Sequence, residues 1–382
     1  DHPAWRSDFL LSPPEDSRTH SSWERWGVSA WDLIQPAFML MVGVAMPFSY
    51  RRRTIQGQGR WRRIGHALLR SLLLVLLGVF LYTRGGQHTN WVFTNVLAQI
   101  GLGYFFVYLM LGWRWWLQVV AGLAILGGYW AAVQYVDWRP LAGVDPSQPY
   151  NYQAVGADPA NAEVLSGAFA PWSKNANLAH GVDVWLLNRL ADPEGEAMAA
   201  WRDKMQAGPL TIGEWCQMTV RRCLFANTDT YTFNRGGYQT LNFVPSMVTM
   251  LLGVLCGTLL MGPSSSGRKF MLLIVAAVIC LVLGRIAGIY LCPIVKRIWT
   301  PSWTLFSGGY VIALLAVFYL LFDILPLKRL AFPLTVVGMN SLAMYMLGQL
   351  AGPFTRERIV RPHLTGLLQP LLQTAQVLDG EM

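Results

Sequence analysis

Charge is scarce in this sequence. Of 382 residues only 13% are Asp, Glu, Lys or Arg, while 53% are hydrophobic. Soluble globular chains run nearer a quarter charged, so a soluble body is excluded. Acidic residues are the rarer sign, 21 against 30 Lys and Arg, for a formal net charge of +9. That surplus does not describe a nucleic-acid surface, because the basic residues cluster in short connections between apolar runs. Cysteine is sparse too. The five residues Cys216, Cys223, Cys256, Cys280 and Cys292 show no metal-ligand spacing, and no metal is expected. Cys256 and Cys280 lie inside apolar runs, where a free thiol behaves as a small hydrophobe. Cys216 and Cys223 fit one side of a helix, and a disulfide between them stays open. The sequence also lacks a GxSxG elbow, an HExxH zinc helix, a P-loop and a Rossmann glycine fingerprint. It starts at Asp1 with no initiator Met or signal peptide, so a further N-terminal part is expected.

What is abundant is apolar and aromatic. The 17 tryptophans suit a chain that meets two bilayer interfaces. Apolar stretches at 30–50, 65–82, 91–112, 116–136, 240–262, 270–291, 302–325 and 330–352 are each about one bilayer long. The expected fold is all-α, a polytopic transmembrane helix bundle of about eight spans with one large external loop. Its parts are an external segment (1–29), a first helical block (30–136), the loop (137–239), a second block (240–352) and an amphipathic tail (353–382) with interfacial leucines. Four alternate connections carry eleven Lys and Arg, six of them between Arg51 and Arg63, whereas the two short opposite ones carry three: Arg84, Lys296 and Arg297. The positive-inside rule makes the first set cytoplasmic and leaves residues 1–29 and 137–239 outside.

Polar residues inside apolar runs are functional candidates by default. Asp32 lies near the outer end of the first span, with Pro36 and Pro47 beyond it, and His20 stands in the polar segment just outside. Asp32 fits either a partner for His20 or a favourable charge at a helix N-terminus. His66 and Arg70 share a helix face, and Arg70 can snorkel or bind a phosphate. Asn95 and Gln99, then Asn242, Ser246 and Thr249, repeat the i,i+4 pattern, and Asn340 and Ser341 sit in mid-run. Singly, each is ordinary interhelical hydrogen bonding. Together on four helices they suggest a polar cavity through the bundle. To this point a transporter and an enzyme stand level.

Specific stretches then break the tie. His20-Ser-Ser-Trp23, Gly27, Asp32-Leu33, Pro36, Phe38 and Val42-Gly43 are followed in order by four more: Arg70-Ser71 with Gly78; Asn95 to Gly101 with Tyr104-Phe105; Pro245-Ser246 to Gly257; and Pro293 to Ser302 with Gly338 to Ser341. This series resembles the heparan-α-glucosaminide N-acetyltransferase family. An arginine of the family's third-helix segment is Gln99 here, and the family's Asn just ahead of the histidine has no counterpart. The resemblance implies a transmembrane acyltransferase carrying acetyl from cytosolic acetyl-CoA to an external sugar amine or hydroxyl. His20 matches the family's catalytic histidine, as general base or transient acyl acceptor, and Asp32 its membrane aspartate. By position alone, Arg70, Gln99, Asn242 and Asn340 are the candidates to line the CoA path. Expected partners are acetyl-CoA, an external sugar or polysaccharide and the bilayer, in a bacterial inner membrane, with a homodimer left open.

Overall fold

The computed structural model describes residues 28–354 except 85, 87, 148, 159–162, 192–195, 209–210, 226–228 and 326. His20, most of the 1–29 segment and nearly all of the 353–382 tail lie outside the described residues. Regular structure among those described is helical throughout. The chain order is α1 (Ala30–Ile55), α2 (Arg60–Thr83), α3 (Val96–Leu109) and α4 (Trp115–Tyr135), followed by α5 (Leu178–Leu190), α6 (Glu196–Ala207) and α7 (Ile212–Leu224) in the long connection. Then come α8 (Phe243–Met261), α9 (Ser266–Tyr290) and α10 (Pro301–Tyr319). A second compact unit begins at Leu321 and holds α11 (Phe332–Met339) and α12 (Ser341–Phe354).

Among the described residues six helices are long and apolar enough to cross a membrane, and a seventh span results if α11 and α12 count as one. The chain is a multi-pass membrane protein. Two of the eight expected spans differ from expectation. The 91–112 stretch becomes a helix of only 14 residues, because Asn95 caps it by accepting from the Leu97 amide and the chain at 91–95 is not helical. The 330–352 stretch is bent by 58° between its two helices, and Asn340 sits at the break rather than in mid-helix.

Small residues let the first unit's helices approach. A Cβ on Gly43 of α1 would collide with the Met250 carbonyl of α8, and one on Gly253 would collide with the Leu40 carbonyl. With no hydrophobic drive between helices in lipid, such close backbone contact is a main source of association. On the neighbouring pair, Ser71 of α2 donates to the Gly101 carbonyl of α3 at 2.5 Å. The central core gathers Met39, Met46, Tyr104, Met247, Met250, Trp299 and Trp303.

The long connection is a folded cap. Trp172 is fully buried and packs with Leu178 against Tyr129 and Val133 of α4 and against Val295 and Ile298. Asn177 caps α5 by accepting from the His180 amide at 3.0 Å and donates to the Ser173 carbonyl at 2.8 Å. Asn188 and the Tyr231 backbone exchange two further bonds. Cys216 is a free, exposed thiol.

Candidate functional site

Ser29 and Asp32 form a capping box at the start of α1: the Asp32 amide donates to Ser29 Oγ at 3.2 Å, and the Ser29 amide and hydroxyl donate to Asp32 Oδ2 at 3.1 and 3.0 Å. This satisfies orphan donors that any helix start exposes. Asp32 does more than cap. It is fully buried, and its Oδ1 accepts from Lys296 Nζ at 3.2 Å. Lys296 itself is only 6% exposed. A carboxylate stranded in a membrane interior would be strongly unfavourable, and a buried ammonium at this distance removes most of that cost. Of the two readings of Asp32 left open by sequence, the helix-start charge is seen directly, and the pairing with His20 lies outside the described residues.

Lys296 comes from a buried turn between α9 and α10. Trp299 N–H donates to the Lys296 carbonyl at 3.0 Å and Thr300 N–H to the Val295 carbonyl at 3.2 Å. The Thr300 hydroxyl accepts from the Val295 amide, and the Ser302 hydroxyl donates to the Pro293 carbonyl at 2.7 Å. These bonds hold Trp299 at φ +44°, in the left-handed region, although it is a fully packed aromatic. Such strain in a bulky residue persists only where the surroundings over-determine it, and it clusters at functional sites.

A second polar group adjoins this turn. Asn242 Nδ2 donates to the Arg297 carbonyl at 2.6 Å. Two residues earlier, the Thr240 amide donates to both oxygens of Asp183 at 3.2 and 3.0 Å, and Gln99 Nε2 donates to the Gln239 and Thr240 carbonyls at 3.2 and 3.1 Å. A buried polar layer thus runs from the cap helix α5 through residues 239–242 and the 293–300 turn to Asp32. Gln99 Oε1, both polar atoms of the Gln239 side chain, Asn242 Oδ1 and the indole nitrogens of Trp299 and Trp303 are buried in it without a hydrogen-bond partner among the described residues. Buried amides normally find partners, so these atoms point to polar occupants such as water or a substrate.

Two titratable groups sit on α5. Burial pushes the Asp183 carboxyl up to about 7, against the opposing effect of the Thr240 bonds. Burial pushes His180 down to about 4; its ring lies 5.8 Å from that of Trp138, and Nδ1 has no hydrogen-bond partner among the described residues.

The structure brings Asp32, Gln99 and Asn242 into this layer. Arg70 is not in it: it is exposed on α2, with its guanidinium 5.3 Å from the Tyr104 ring centre. Asn340 belongs to the second unit. Lys296, Asp183 and Gln239 were not singled out from sequence. Lys296 reads in the sequence as one more cation of an outer connection. Asp183 and Gln239 carry no such signal in a polar loop. At the arginine-rich end of the same unit, Tyr50, Arg60, Arg63, Tyr108 and Trp113 line a cleft of about 300 Å³. The Arg63 guanidinium lies 4.7 Å from the Tyr50 ring centre.

Residues 9–152 match the family described as heparan-alpha-glucosaminide N-acetyltransferase, catalytic. No curated protein matches the chain. The matched stretch includes His20, Asp32, Arg70 and Gln99, while Asp183, Asn242, Lys296 and Asn340 lie beyond it. The resemblance read from the first motifs is therefore shown over that stretch, and it is a resemblance to a membrane acetyltransferase family.

Proposed function

We propose that the chain is a transmembrane acetyltransferase that takes acetyl from cytoplasmic acetyl-CoA and delivers it to an amine or hydroxyl of an external sugar or polysaccharide. One observation carries this reading: the family match covers both His20 and Asp32, and Asp32 is fully buried and ion-paired beside a strained turn. A plain helix cap needs neither the burial nor the partner.

In the proposed reaction the acceptor nitrogen or oxygen forms a bond to the acetyl carbon, and the thioester C–S bond breaks. His20 takes the acceptor proton as general base, and the departing CoA thiolate is protonated in turn. Acetyl resting on His20 in an acyl-histidine is the two-step version of the same transfer. Asp32 would orient the imidazole and favour its protonated form, while its bond from Lys296 fixes the carboxylate in place. An orphan amide such as Gln239 or an indole N–H offers a donor for the thioester oxyanion.

The arginine-rich cleft suits the nucleotide end of CoA, because Arg60 and Arg63 offer cations for phosphates and Tyr50 and Tyr108 offer flat rings. Arg70 over Tyr104 continues this cationic and aromatic face along α2. Gln99 and Asn242 have their amide nitrogens tied to backbone carbonyls, which leaves one oxygen each for the amides of the pantetheine arm. Asn340 is proposed with them from its sequence position only.

The unpartnered polar atoms also favour a second reading, a transporter or flippase of a sugar-containing metabolite or lipid. Proteoliposomes given radiolabelled acetyl-CoA and a panel of amino sugars separate the two. Label transfer that disappears in His20→Ala supports the enzyme. Acceptor uptake without acetylation supports the transporter and sinks the first reading.

A further inference from the structure

Helix α7 is amphipathic, and its apolar side is uncovered. Ile212 is 85% exposed, Trp215 56% and Val220 52%. On the other side of the helix, Glu214 is occupied: it accepts from the Thr211 amide and hydroxyl in a capping box and from Lys204 Nζ at 2.8 Å. Gln217 and Arg221 are exposed as well, but an amphipathic helix normally buries its apolar stripe, and here the stripe is left open.

The position of α7 supplies the missing partner. Its last turn is fixed to the rim of the bundle: Trp91 Nε1 donates to the Leu224 carbonyl at 2.6 Å, and the Trp91 and Phe225 rings stack at 5.3 Å with 12° between their planes. Trp91 lies between the end of α2 and the start of α3. The C-terminal end of α7 is thus held at the connection joining two of the spanning-bundle helices. Beside it is a groove of about 590 Å³ lined by Arg189, Arg221, Cys216, Val220 and Phe225. Tryptophan and aliphatic side chains next to cations is the composition of a helix at the headgroup boundary.

We propose that α7 lies in the plane of the membrane as an interfacial anchor, with Ile212, Trp215 and Val220 at the acyl–headgroup boundary and Arg189 and Arg221 facing lipid phosphates. The occupant of this surface is the bilayer on the side of the 137–239 cap. The inference does not depend on the acetyltransferase reading.

Cys216 is a native probe on that face. In nanodiscs of phosphatidylcholine and phosphatidylglycerol, the full chain carrying Cys223→Ser is spin-labelled at Cys216. Collision with oxygen is then compared with collision with a water-soluble nickel chelate. A control label is placed by Asp145→Cys in a C216S/C223S background, at an exposed cap residue. The proposal expects oxygen to dominate at Cys216 and nickel to dominate at position 145. Equal nickel access at both positions would put the face in water and overturn it. Shielding from both reagents would mean a protein cover, such as a second copy, and would overturn it as well. A second measurement needs no cysteine replacement: alkylation of Cys216 in the native chain by a charged maleimide, read by peptide mass mapping. Ile212→Glu with Trp215→Glu should speed this alkylation several-fold in nanodiscs, and an unchanged rate counts against the anchor. Replacing phosphatidylglycerol by phosphatidylcholine should raise the rate further in the native chain but not in R189Q/R221Q.

Discussion

Removing one charge from the Asp32–Lys296 pair leaves the other buried, and the stranded charge is what costs stability. Lys296→Met keeps the stem but not the ammonium, so the Asp32 carboxylate stays in its pocket without the cation that faces it. Breaking a buried pair in this way costs about 3–5 kcal/mol. The double variant D32N/K296M removes both charges and keeps an amide oxygen for the Ser29 cap. It should recover a large part of that loss, seen as a higher melting temperature in detergent than the single Lys296→Met; no recovery would mean that the pair is not the coupled unit described. His180 and Asp183 make a different case, because burial acts on them in opposite directions. The Asp183 carboxyl, raised to about 7, holds a proton that the unfolded chain has released above its ordinary range, so its stabilising contribution falls as pH rises from about 4 to 7. His180, lowered to about 4, stays neutral where the unfolded chain is protonated, so its contribution grows from about pH 4 to 6.5. The two slopes, each up to about 1.4 kcal/mol per pH unit, nearly cancel across that window. Asp183→Asn should therefore expose a melting temperature that rises with pH between about 4 and 6.5, and His180→Gln one that falls. Parallel flat profiles in all three proteins would refute the assignment. Asp32 was legible in the sequence because a carboxylate in an apolar run is conspicuous. Lys296 reads as one more cation in a polar connection, and Asp183 as ordinary loop polarity; only the folding of the cap and of the 293–300 turn buries them.

The helices follow from the apolar runs, and their meeting points follow from residues without side-chain bulk. Gly253 faces the α1 backbone so closely that even a methyl group collides with it, whereas Gly127 on α4 has nothing within 4 Å of where its Cβ would stand. Gly253→Ala should lower stability by roughly 1–3 kcal/mol as overpacking separates α1 from α8. Gly127→Ala should be neutral or stabilising by up to about 1 kcal/mol, from helix propensity. Equal melting temperatures for the two variants would contradict the close crossing. Such crossings cannot be read from one sequence, since Gly43, Gly127 and Gly253 look alike in an apolar run. The bounds of α1, α4, α8 and α9 were largely legible, because basic or aromatic residues flank them at bilayer spacing. The shortness of α3 was not, since residues 91–95 are apolar enough to prolong a span but are not helical and end at the Asn95 cap. The break at Asn340 was signalled only by its polar pair, which equally suits an intact helix. The cap was read as a loop because its helices are short and its stability comes from buried asparagines and Trp172 rather than from any periodic pattern.

At the scale of the whole molecule, the decisive question is which face of the membrane holds each end of the bundle. The basic asymmetry, eleven Lys and Arg against three, is sharper than the count suggests, because Lys296 is buried in an ion pair rather than displayed at a surface. Removing it leaves Arg84 and Arg297 on the short connections of the cap side. Since the positive-inside rule acts through charges on short loops near span ends, the orientation we propose has the α1–α2 connection in the cytoplasm and the cap outside. This is testable with two positions that are both exposed, Gln56 after α1 and Asp145 in the cap. In a C216S/C223S background, a membrane-impermeant maleimide should label Asp145→Cys in intact spheroplasts. It should label Gln56→Cys only after the membrane is permeabilised. The reverse pattern would turn the molecule over and remove the basis of the proposed reaction. The arginine-rich cleft of Tyr50, Arg60 and Arg63 would then open away from the cytosolic pool of acetyl-CoA. Asp32 would stand at the cytoplasmic face, where a soluble enzyme meets its acceptor without needing a membrane to cross.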